Sequence, residues 1–450
     1  MSSPVHPPQE SDSSHGNPVA GSVDESVVGS VAGGEGVTPV RAGFWRALRA
    51  GLCCYCATLP LVLVCILIGH YYLPHLPSNQ DGPRIPPSPN PIMHILSRWD
   101  GQWHLINAST GYFYNPDRMS SVAFFPAYPI LVWAVERTTP FSLRFSGLMV
   151  SQFFLIASLV LLYRYIAVTR SPAPKTPLVA WYAMFALMVF PTSFWLRMTY
   201  SEPLFLFLCL LSLYGMAKKW PFWIIALIAG AATGTRLVGA ALFFVLAWHV
   251  WCNSVSWKQT LLRCCWLLPL SLWGIIAYMI FLWVKFDAPL AFSQTQVHWF
   301  HRPPGSLFHR FQSVLTLEPA RAIFNPLSPA YWRRFDPGIT SLIFSPHAMN
   351  ALIFLAAVIA GLFAVVKRWL TVHEIILSFF LLGIPYISVG YTQYMMSHGR
   401  FALTVFPLFI VLGTILSRLP AYVSIPLLAA GAWILGVFSS MLASGGYYIL

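Results

Sequence analysis

Acidic side chains are the scarcest chemically active groups in this 450-residue chain, and any acid–base chemistry would depend on them. Five of the fourteen lie within the first 42 positions, which leaves nine for the remainder. A general base must therefore come from those nine or from a histidine. The nine carboxylates are Asp81, Asp100, Asp117, Glu136, Glu202, Asp287, Glu318, Asp336 and Glu374.

One stretch sets an acidic residue among aromatic side chains. Asp100 lies between Trp99 and Trp103, with Arg98 before it and His104 after it. Apolar surroundings lower the local dielectric constant and strengthen the interaction of a carboxylate with a reacting hydroxyl or a developing positive charge. The same residues also suit an aromatic belt at a membrane surface, in which an Arg–Asp pair holds the loop. The sequence allows both interpretations, and Asp100 is the candidate catalytic residue.

Three further ionisable residues stand alone in apolar runs. If those runs cross a membrane, Glu202 is a functional candidate by its position, although a carboxylate followed by Pro203 also suits the first turn of a helix. Arg236 needs an anionic partner, which Glu202, Asp100 or a lipid phosphate would provide. Arg400 occupies a similar depth. The two arginines predict either a phosphate-binding pocket or structural ion pairs.

Aromatic and amide side chains in two segments are further candidates for substrate contact. In the first segment, Tyr112 and Tyr128 precede a short amphipathic piece near 130–137, which we interpret as an interfacial or re-entrant helix. In the second segment, Gln296 and Trp299 follow an Asp-Ala-Pro-Leu-Ala-Phe sequence. The nearby pair His298 and His301 lacks an obvious third metal ligand. We therefore expect a sugar- or lipid-contacting loop there and no metal site.

Long apolar runs must position these residues. The sequence is 57% hydrophobic and 9% charged, and its runs are roughly 15 to 25 residues long, enough to cross ~30 Å of hydrocarbon. A soluble core would show amphipathic stripes instead. We predict an all-α membrane protein, a polytopic helical bundle of about eleven spans. The candidate spans lie near 52–72, 146–168, 178–198, 203–217, 221–235, 237–251, 260–284, 347–366, 373–391, 401–417 and 420–443.

Basic residues between the runs predict the orientation. The formal net charge is +13, but its distribution favours a cytoplasmic N-terminus and gives no reason to expect a nucleic-acid partner. Two long segments, 73–145 and 285–346, then face the ER lumen or the periplasm, and function is expected there. The predicted cytoplasmic cations are Arg41, Arg46, Arg49, Arg164, Arg170, Lys175, Lys218, Lys219, Lys258, Arg263, Lys367, Arg368 and Arg418.

The first 42 residues have a different composition from the rest. They are rich in Ser, Gly, Val and Pro and contain no Lys or Arg before Arg41. Such a segment cannot bury enough apolar surface to offset its ordering entropy, so we predict a disordered cytoplasmic tail before a membrane domain over 43–450. All eight cysteines lie in or beside the predicted spans. This placement excludes a disulfide framework in the outer segments.

Six short motifs lie over roughly residues 95–410. They are RWDGQWHLINASTGY (98–112), AFFPAYP (123–129), TYSEPLFL (199–206), GTRLVGAAL (234–242), DAPLAF (287–292) with Gln296 and Trp299, and HGRFALTVFPLF (398–409). In order and spacing, these motifs resemble those of the PIG-V type mannosyltransferases (GPI mannosyltransferase II-like) and their bacterial relatives, within the GT-C superfamily of polytopic glycosyltransferases. We expect a bacterial relative.

This resemblance implies a GT-C-like fold and an enzyme of the ER membrane or the bacterial inner membrane. Such an enzyme would take mannose from a polyprenyl-phosphate carrier and pass it to a glycolipid or other acceptor, with inversion at the anomeric centre. By the same resemblance, Asp100 would deprotonate the acceptor, Arg236 and Arg400 would hold the lipid phosphate, and Glu202 would either shape the acceptor site or support an arginine. The chain departs from the family pattern at His104, where an aromatic hydroxyl residue is expected.

Two other functions are compatible with the same residues. A flippase or transporter of lipids or lipid-linked sugars would use the arginines as phosphate contacts along a path, and a non-catalytic protein would hold a separate transferase in the membrane. The sequence contains no Walker, G-x-G-x-x-G, HExxH or D-x-D motif, so a nucleotide-sugar donor is not expected. No cofactor and no divalent metal are predicted.

Overall fold

The computed structural model describes residues 39–74, 85–170, 175–303, 305–328, 330–331 and 346–445. The predicted tail lies outside them, except for 39–42, whose backbone begins the first helix. Asp81 and Asp336 also lie outside the described residues. Contacts divide the chain into Met1–Ala42 and Gly43–Leu450, and the structure below is that of the second unit.

Every regular element in the described residues is helical. The first half contains α1 (Pro39–Tyr72), α2 (Pro91–Ile95), α3 (Asp100–Ser109), α4 (Ala127–Thr138), α5 (Leu143–Thr169), α6 (Thr176–Met188), α7 (Glu202–Ala217), α8 (Phe222–Thr235) and α9 (Ala241–Cys252). The second half contains α10 (Trp257–Leu270), α11 (Trp273–Phe286), α12 (Ala291–Gln294), α13 (Leu307–Leu315), α14 (Glu318–Arg321), α15 (Pro346–Val366), α16 (Val372–Pro385), α17 (His398–Ala402), α18 (Phe406–Leu416) and α19 (Ala421–Ser444).

Five helical segments are long and apolar enough to cross a membrane, and the pair α10 and α11, bent by 47° at its break, makes a sixth if it is one span. The protein is thus an integral membrane protein. The five segments are Gly43–Tyr72, Leu143–Thr169, Ala348–Val366, Val372–Gly390 and Ala421–Ser444.

Eleven full-length spans are not confirmed. Helices occur near all the predicted positions, but α6, α7, α8, α9 and α18 are only 11 to 16 residues long. The sequence misleads because apolar residues continue past the helix ends into irregular backbone. For example, the predicted span 178–198 ends its helix at Met188 and continues as a buried 3₁₀ turn, Ser193–Arg197.

Local sequence explains several helix starts. Ser142 accepts a hydrogen bond from the backbone N–H of Phe145 at the start of α5, which satisfies a donor that the helix itself leaves free. At the start of α16, Thr371 and Glu374 form a reciprocal capping box. Glu374 is fully buried and also accepts hydrogen bonds from Arg170, at 2.8 and 2.7 Å. One of the nine carboxylates thus has a structural role.

Glycines allow α8 and α11 to approach each other closely. A Cβ atom added to Gly274 in α11 would lie 2.7 Å from Gly234 Cα in α8, which is closer than real side chains allow. Small residues at such crossings let two backbones pack together inside a membrane. Because α8 ends immediately before Arg236, this crossing helps to position that arginine.

We predict that Gly274→Ala separates α8 from α11 and destabilises the protein by about 2 kcal/mol, since overpacking a tight contact forces backbone shifts. The thermal unfolding midpoint of the detergent-solubilised protein measures the effect. Gly361→Ala is the matched control, because its added Cβ would meet only Leu408 at an ordinary 3.8 Å. Equal midpoints for the two variants would contradict the proposed close crossing.

Candidate active site

Asp100 is placed by a sharp turn at the beginning of α3. The residue before it, Trp99, has φ 52° and ψ −121°, a conformation that non-glycine residues rarely adopt and that is found most often at functional sites. The Trp99 ring packs edge-on against Trp195, with centroids 5.9 Å apart. The Asp100 backbone N–H donates to the Tyr200 hydroxyl at 3.2 Å. The carboxylate is therefore fixed in the first turn of a helix.

Arg98 does not pair with Asp100. Its guanidinium donates to the backbone carbonyl of Ala443, at 3.2 Å, near the end of α19. The Arg–Asp pair that the sequence allowed within this loop is thus replaced by a contact between the loop and the last helix. Arg98 holds the loop in place, but its partner is backbone.

Glu202 combines the two roles considered from the sequence. It is the first residue of α7 and is followed by Pro203, so its carboxylate lies at the positive end of the helix dipole. It also forms an ion pair with Arg236, which follows the last residue of α8. The Glu202 side chain is 1% exposed. A carboxylate this deeply buried needs the cation beside it.

Arg400 joins the two carboxylates. Its Nη1 lies 2.5 Å from Asp100 Oδ2, and its Nε lies 3.2 Å from Glu202 Oε1. Asp100, Arg400, Glu202 and Arg236 therefore alternate in charge, and we call these four residues the charge network. Their formal charges sum to zero. Asp100 is the most accessible member, with 28% of its side chain exposed, against 13% for Arg400 and 18% for Arg236.

Aromatic rings surround Arg400, and one of them also lies near Arg236. The Arg400 guanidinium lies 5.5 Å from the ring centroids of Trp195, Tyr200 and Phe401, and Phe401 also lies 5.6 Å from the Arg236 guanidinium. Rings at this distance attract a cation electrostatically. Burial alone would lower the pKa of Arg400, but the carboxylates of Asp100 and Glu202 outweigh it and raise that pKa.

His104 lies deep in the site and is neutral. Burial lowers its pKa to about 4, so the imidazole carries no charge near pH 7. Its ring contacts Tyr128 and Phe124, with centroids 5.0 and 5.3 Å away. The Tyr128 hydroxyl lies 2.8 Å from the carbonyl of Gly147 and 2.7 Å from the Ser151 hydroxyl. Tyr128, held by these contacts, thus packs against the ring of His104.

An aromatic cluster brings the second predicted outer segment to α3. Trp103 stacks on Phe124 at 5.6 Å and meets Trp299 edge-on at 6.1 Å. Tyr112 and Gln296 have different partners: the Tyr112 hydroxyl donates to Phe124 O at 3.0 Å, and Gln296 Nε2 donates to Phe292 O at 3.3 Å. Within the described residues, neither side chain forms a hydrogen bond or ion pair with the charge network.

The sequence does not predict that aromatic rings enclose Arg400, although Tyr200 and Phe401 lie in motifs already noted. Trp195 has no comparable signal, because tryptophan occurs 18 times in this chain. The described residues contain no group of three or more His, Cys, Asp or Glu side chains placed to hold a metal ion. His298, one of the two histidines considered as metal ligands, lies 2.8 Å from the carbonyl of Pro116.

Comparisons with known proteins give limited similarity. No family model matches the chain. Over 153 residues it is 31% identical to the GPI alpha-1,6-mannosyltransferase 2 of Cricetulus griseus, a match that covers 32% of this chain and 29% of that protein. The chain therefore matches less than a third of the length of this relative.

Among solved structures, the oligosaccharyltransferase of Archaeoglobus fulgidus, crystallised with Zn and sulfate, aligns with a TM-score of 0.38 and 11% identity over 85% of this chain and 53% of that chain. The archaeal enzyme in complex with an inhibitory peptide and a dolichol-phosphate aligns with a TM-score of 0.36 and 12% identity, over 87% and 56% of the two chains. TM-scores of this size do not establish a shared fold.

We predict that Glu202→Gln destabilises the protein by about 3 kcal/mol, because it removes the carboxylate that pairs with Arg236 and also contacts Arg400. Asp100→Asn should cost about 1 kcal/mol, since Asp100 is partly exposed and Arg400 keeps Glu202 as a partner. Unfolding midpoints of the purified variants in detergent measure the difference. If Asp100→Asn proved the more destabilising change, the central place of Glu202 in the charge network would be wrong.

The lowered pKa of His104 predicts that the stability of the protein depends on pH. Its pKa is about 4 in the folded protein against an ordinary 6.5, so the unfolded chain binds the proton more readily. The free energy of unfolding is therefore not reduced by this group above pH 6.5. It falls as the pH drops from 6.5 towards 4, by about 3 kcal/mol in total. His104→Phe should flatten the fall of the unfolding midpoint across that range. Parallel pH curves for the two proteins would disprove the prediction.

Proposed function

We propose that this protein is a membrane glycosyltransferase that transfers mannose from a polyprenyl-phosphate carrier to a hydroxyl of a glycolipid or other acceptor, on the luminal or periplasmic side of an ER or bacterial inner membrane. The observation that carries the proposal is the charge network, in which the partly exposed carboxylate of Asp100 contacts Arg400, an arginine enclosed by aromatic rings. The partial match to a mannosyltransferase supports the choice of sugar.

Asp100 acts as the general base in this proposal. The acceptor hydroxyl attacks the anomeric carbon of the sugar, its proton passes to Asp100, and the bond between that carbon and the phosphate oxygen breaks. The products are the new glycosidic bond and the free polyprenyl phosphate. Direct displacement of this kind inverts the anomeric centre. In this proposal the arginines, and no metal ion, stabilise the negative charge that develops on the departing phosphate.

Arg400 links donor binding to the position of the base. In the structure its guanidinium contacts the Asp100 carboxylate. A donor phosphate carries negative charge and attracts the guanidinium. When Arg400 turns towards the phosphate, the Asp100 carboxylate is free to accept a hydrogen bond from the acceptor hydroxyl, while Glu202 keeps Arg236.

His104 and the aromatic cluster shape the substrate site. The side chains of His104 and Trp103 are buried, so they line the site from behind, and the neutral imidazole of His104 adds no charge there. The partly exposed ring of Trp299 provides a face for an apolar side of the substrate. The Glu202 carboxylate is also buried, and its role is to keep both arginines in place. The residues that contact substrate in the proposal are thus Asp100, Trp299 and the two arginines.

Transfer by the reconstituted protein tests this function. Liposomes contain the full chain, polyprenyl-phosphate-[¹⁴C]mannose and a lipid extract from cells that lack the protein as acceptor source. We expect label in a new lipid, and a loss of at least about 100-fold for Asp100→Asn, since general-base catalysis supplies this much. Asp117→Asn is the matched control, because Asp117 is an exposed carboxylate of the same predicted outer segment.

Full transfer by Asp100→Asn would overturn the assignment of Asp100 as the base. Absence of transfer by the unmodified protein would overturn the proposed transferase function. Translocation of a labelled lipid across the same liposomes, unaffected by Asp100→Asn, would identify a transporter instead. If the purified protein were inactive but carried a transferase with it in stoichiometric amount, it would be a non-catalytic partner.

A further inference from the structure

The helix α13 is amphipathic, but its apolar side faces outwards. A helix on the surface of a soluble protein has the opposite arrangement, which is why we call α13 inverted. Its serine at position 313 is buried, with 3% of its surface exposed, and Arg310 is half-buried. Its large apolar side chains point away from the protein: Phe308 is 74% exposed, Phe311 62% and Leu315 67%. A helix packed against a protein in water buries such side chains and exposes the polar ones.

These three apolar residues form one continuous face. Positions 308, 311 and 315 follow the i, i+3, i+7 spacing of neighbours on a helix surface. The sequence shows the same amphipathic pattern, but it does not tell which face is turned outwards. The burial of Ser313 and the exposure of these three side chains show that the apolar face is turned outwards. We call Phe308, Phe311 and Leu315 the outward apolar face.

Contacts fix α13 at the end of a membrane-spanning segment. The Tyr386 hydroxyl donates to Val314 O at 3.4 Å, and His309 Nε2 lies 2.9 Å from the Tyr391 hydroxyl. Tyr386 lies near the end of the segment Val372–Gly390, one of those able to cross the membrane. Ile387, next to it, is exposed, as expected of a residue that faces lipid. The outward apolar face thus lies beside the end of a segment that is able to cross the membrane.

A second set of contacts holds the chain around α13. The Arg302 guanidinium stacks on Tyr391, 3.4 Å from the ring centroid. It also forms two hydrogen bonds with the Glu318 carboxylate, at 3.1 and 2.8 Å. Because Arg302 precedes α13 and Glu318 follows it, the helix is tied at both ends to the segment after the span. Its depth in the membrane is therefore set by that span.

We propose that α13 is a membrane-surface helix whose outward apolar face inserts into the phospholipid leaflet at this end of the bundle. Short amphipathic helices with aromatic and aliphatic side chains on one face bind at the boundary between headgroups and acyl chains. The occupant of the face is phospholipid, because the helix is anchored at the end of a lipid-facing span. This inference does not depend on the proposed function.

The insertion would also stabilise the candidate active site. The chain that leads into α13 carries Trp299, whose ring packs against Trp103 of α3. With α13 held in the leaflet and Arg302 held by Glu318, this chain is fixed to the bilayer on one side and to the aromatic cluster on the other. A lipid surface thus takes part in positioning the edge of the site.

Photocrosslinking tests the inference. Phe311 is replaced by p-benzoylphenylalanine in the full chain, which is reconstituted in phosphatidylcholine liposomes containing a radiolabelled phosphatidylcholine tracer and irradiated. We expect the labelled lipid to attach to position 311 as strongly as to the same probe at Ile359, an exposed residue of a spanning helix. The matched control is Thr316, exposed on the polar side of α13, where labelling should be several-fold weaker.

Equal labelling at 311 and 316, or no labelling at 311 while Ile359 is labelled, would overturn the proposal. So would a crosslink that mass spectrometry maps to a peptide of this chain, such as 332–345, or to another protein, because the face would then have a protein partner. Phe308 provides an independent second position for the probe. Since both phenylalanines are exposed, neither replacement disturbs the packing of the bundle.

Discussion

Arg400 is held between two carboxylates, and the arrangement of the helices around it follows from that constraint. A charge buried among apolar helices is strongly unfavourable unless an opposite charge lies within contact distance. Arg400 contacts Asp100 and Glu202, and Glu202 also contacts Arg236. These residues are far apart in the sequence. The fold must therefore bring the ends of α3, α7, α8 and α17 to one place.

The same requirement explains why so many helices are short. The helix α7 begins at Glu202, α8 ends just before Arg236, and the chain between α6 and α7 supplies Trp195 and Tyr200. The chain is also interrupted between α17 and α18, directly after Arg400. Irregular backbone is tolerated within a membrane protein where it is buried in protein or lines a cavity. The breaks that reduce the number of full-length spans are therefore the ones that build the site.

The ionisable residues of the site could be predicted from the sequence, but the aromatic rings around Arg400 could not. Asp100, Glu202, Arg236 and Arg400 could be singled out because ionisable residues are rare in apolar runs and each needs a partner. Aromatic residues are common here, with 33 Phe, 19 Tyr and 18 Trp, so their presence alone selects no position. Tyr112 stays a predicted substrate contact, and the structure adds that its hydroxyl donates to the backbone carbonyl of Phe124.

Backbone partners were also beyond the reach of sequence patterns. Arg98 precedes Asp100 by two positions, and proximity in the chain suggested an ion pair. The structure gives Arg98 the carbonyl of Ala443 instead, because the turn at Trp99 directs Asp100 towards Arg400. Such a turn, with positive φ at tryptophan, has no signature in the sequence. Helix existence was predictable from apolar runs, but helix ends depended on these tertiary contacts.

One stretch of chain, residues 386–400, connects the helix α13 to the charge network, and this has a consequence for substrates that are lipids. Residues 386–400 begin at the end of a spanning segment, contact α13 through Tyr386 and Tyr391, and end at Arg400. A phosphate on a membrane lipid lies at the level of the headgroups, where α13 would lie if it inserts. A lipid-linked donor held in the same leaflet would then reach Arg400 without leaving the membrane, and only its sugar and phosphate would have to enter the protein.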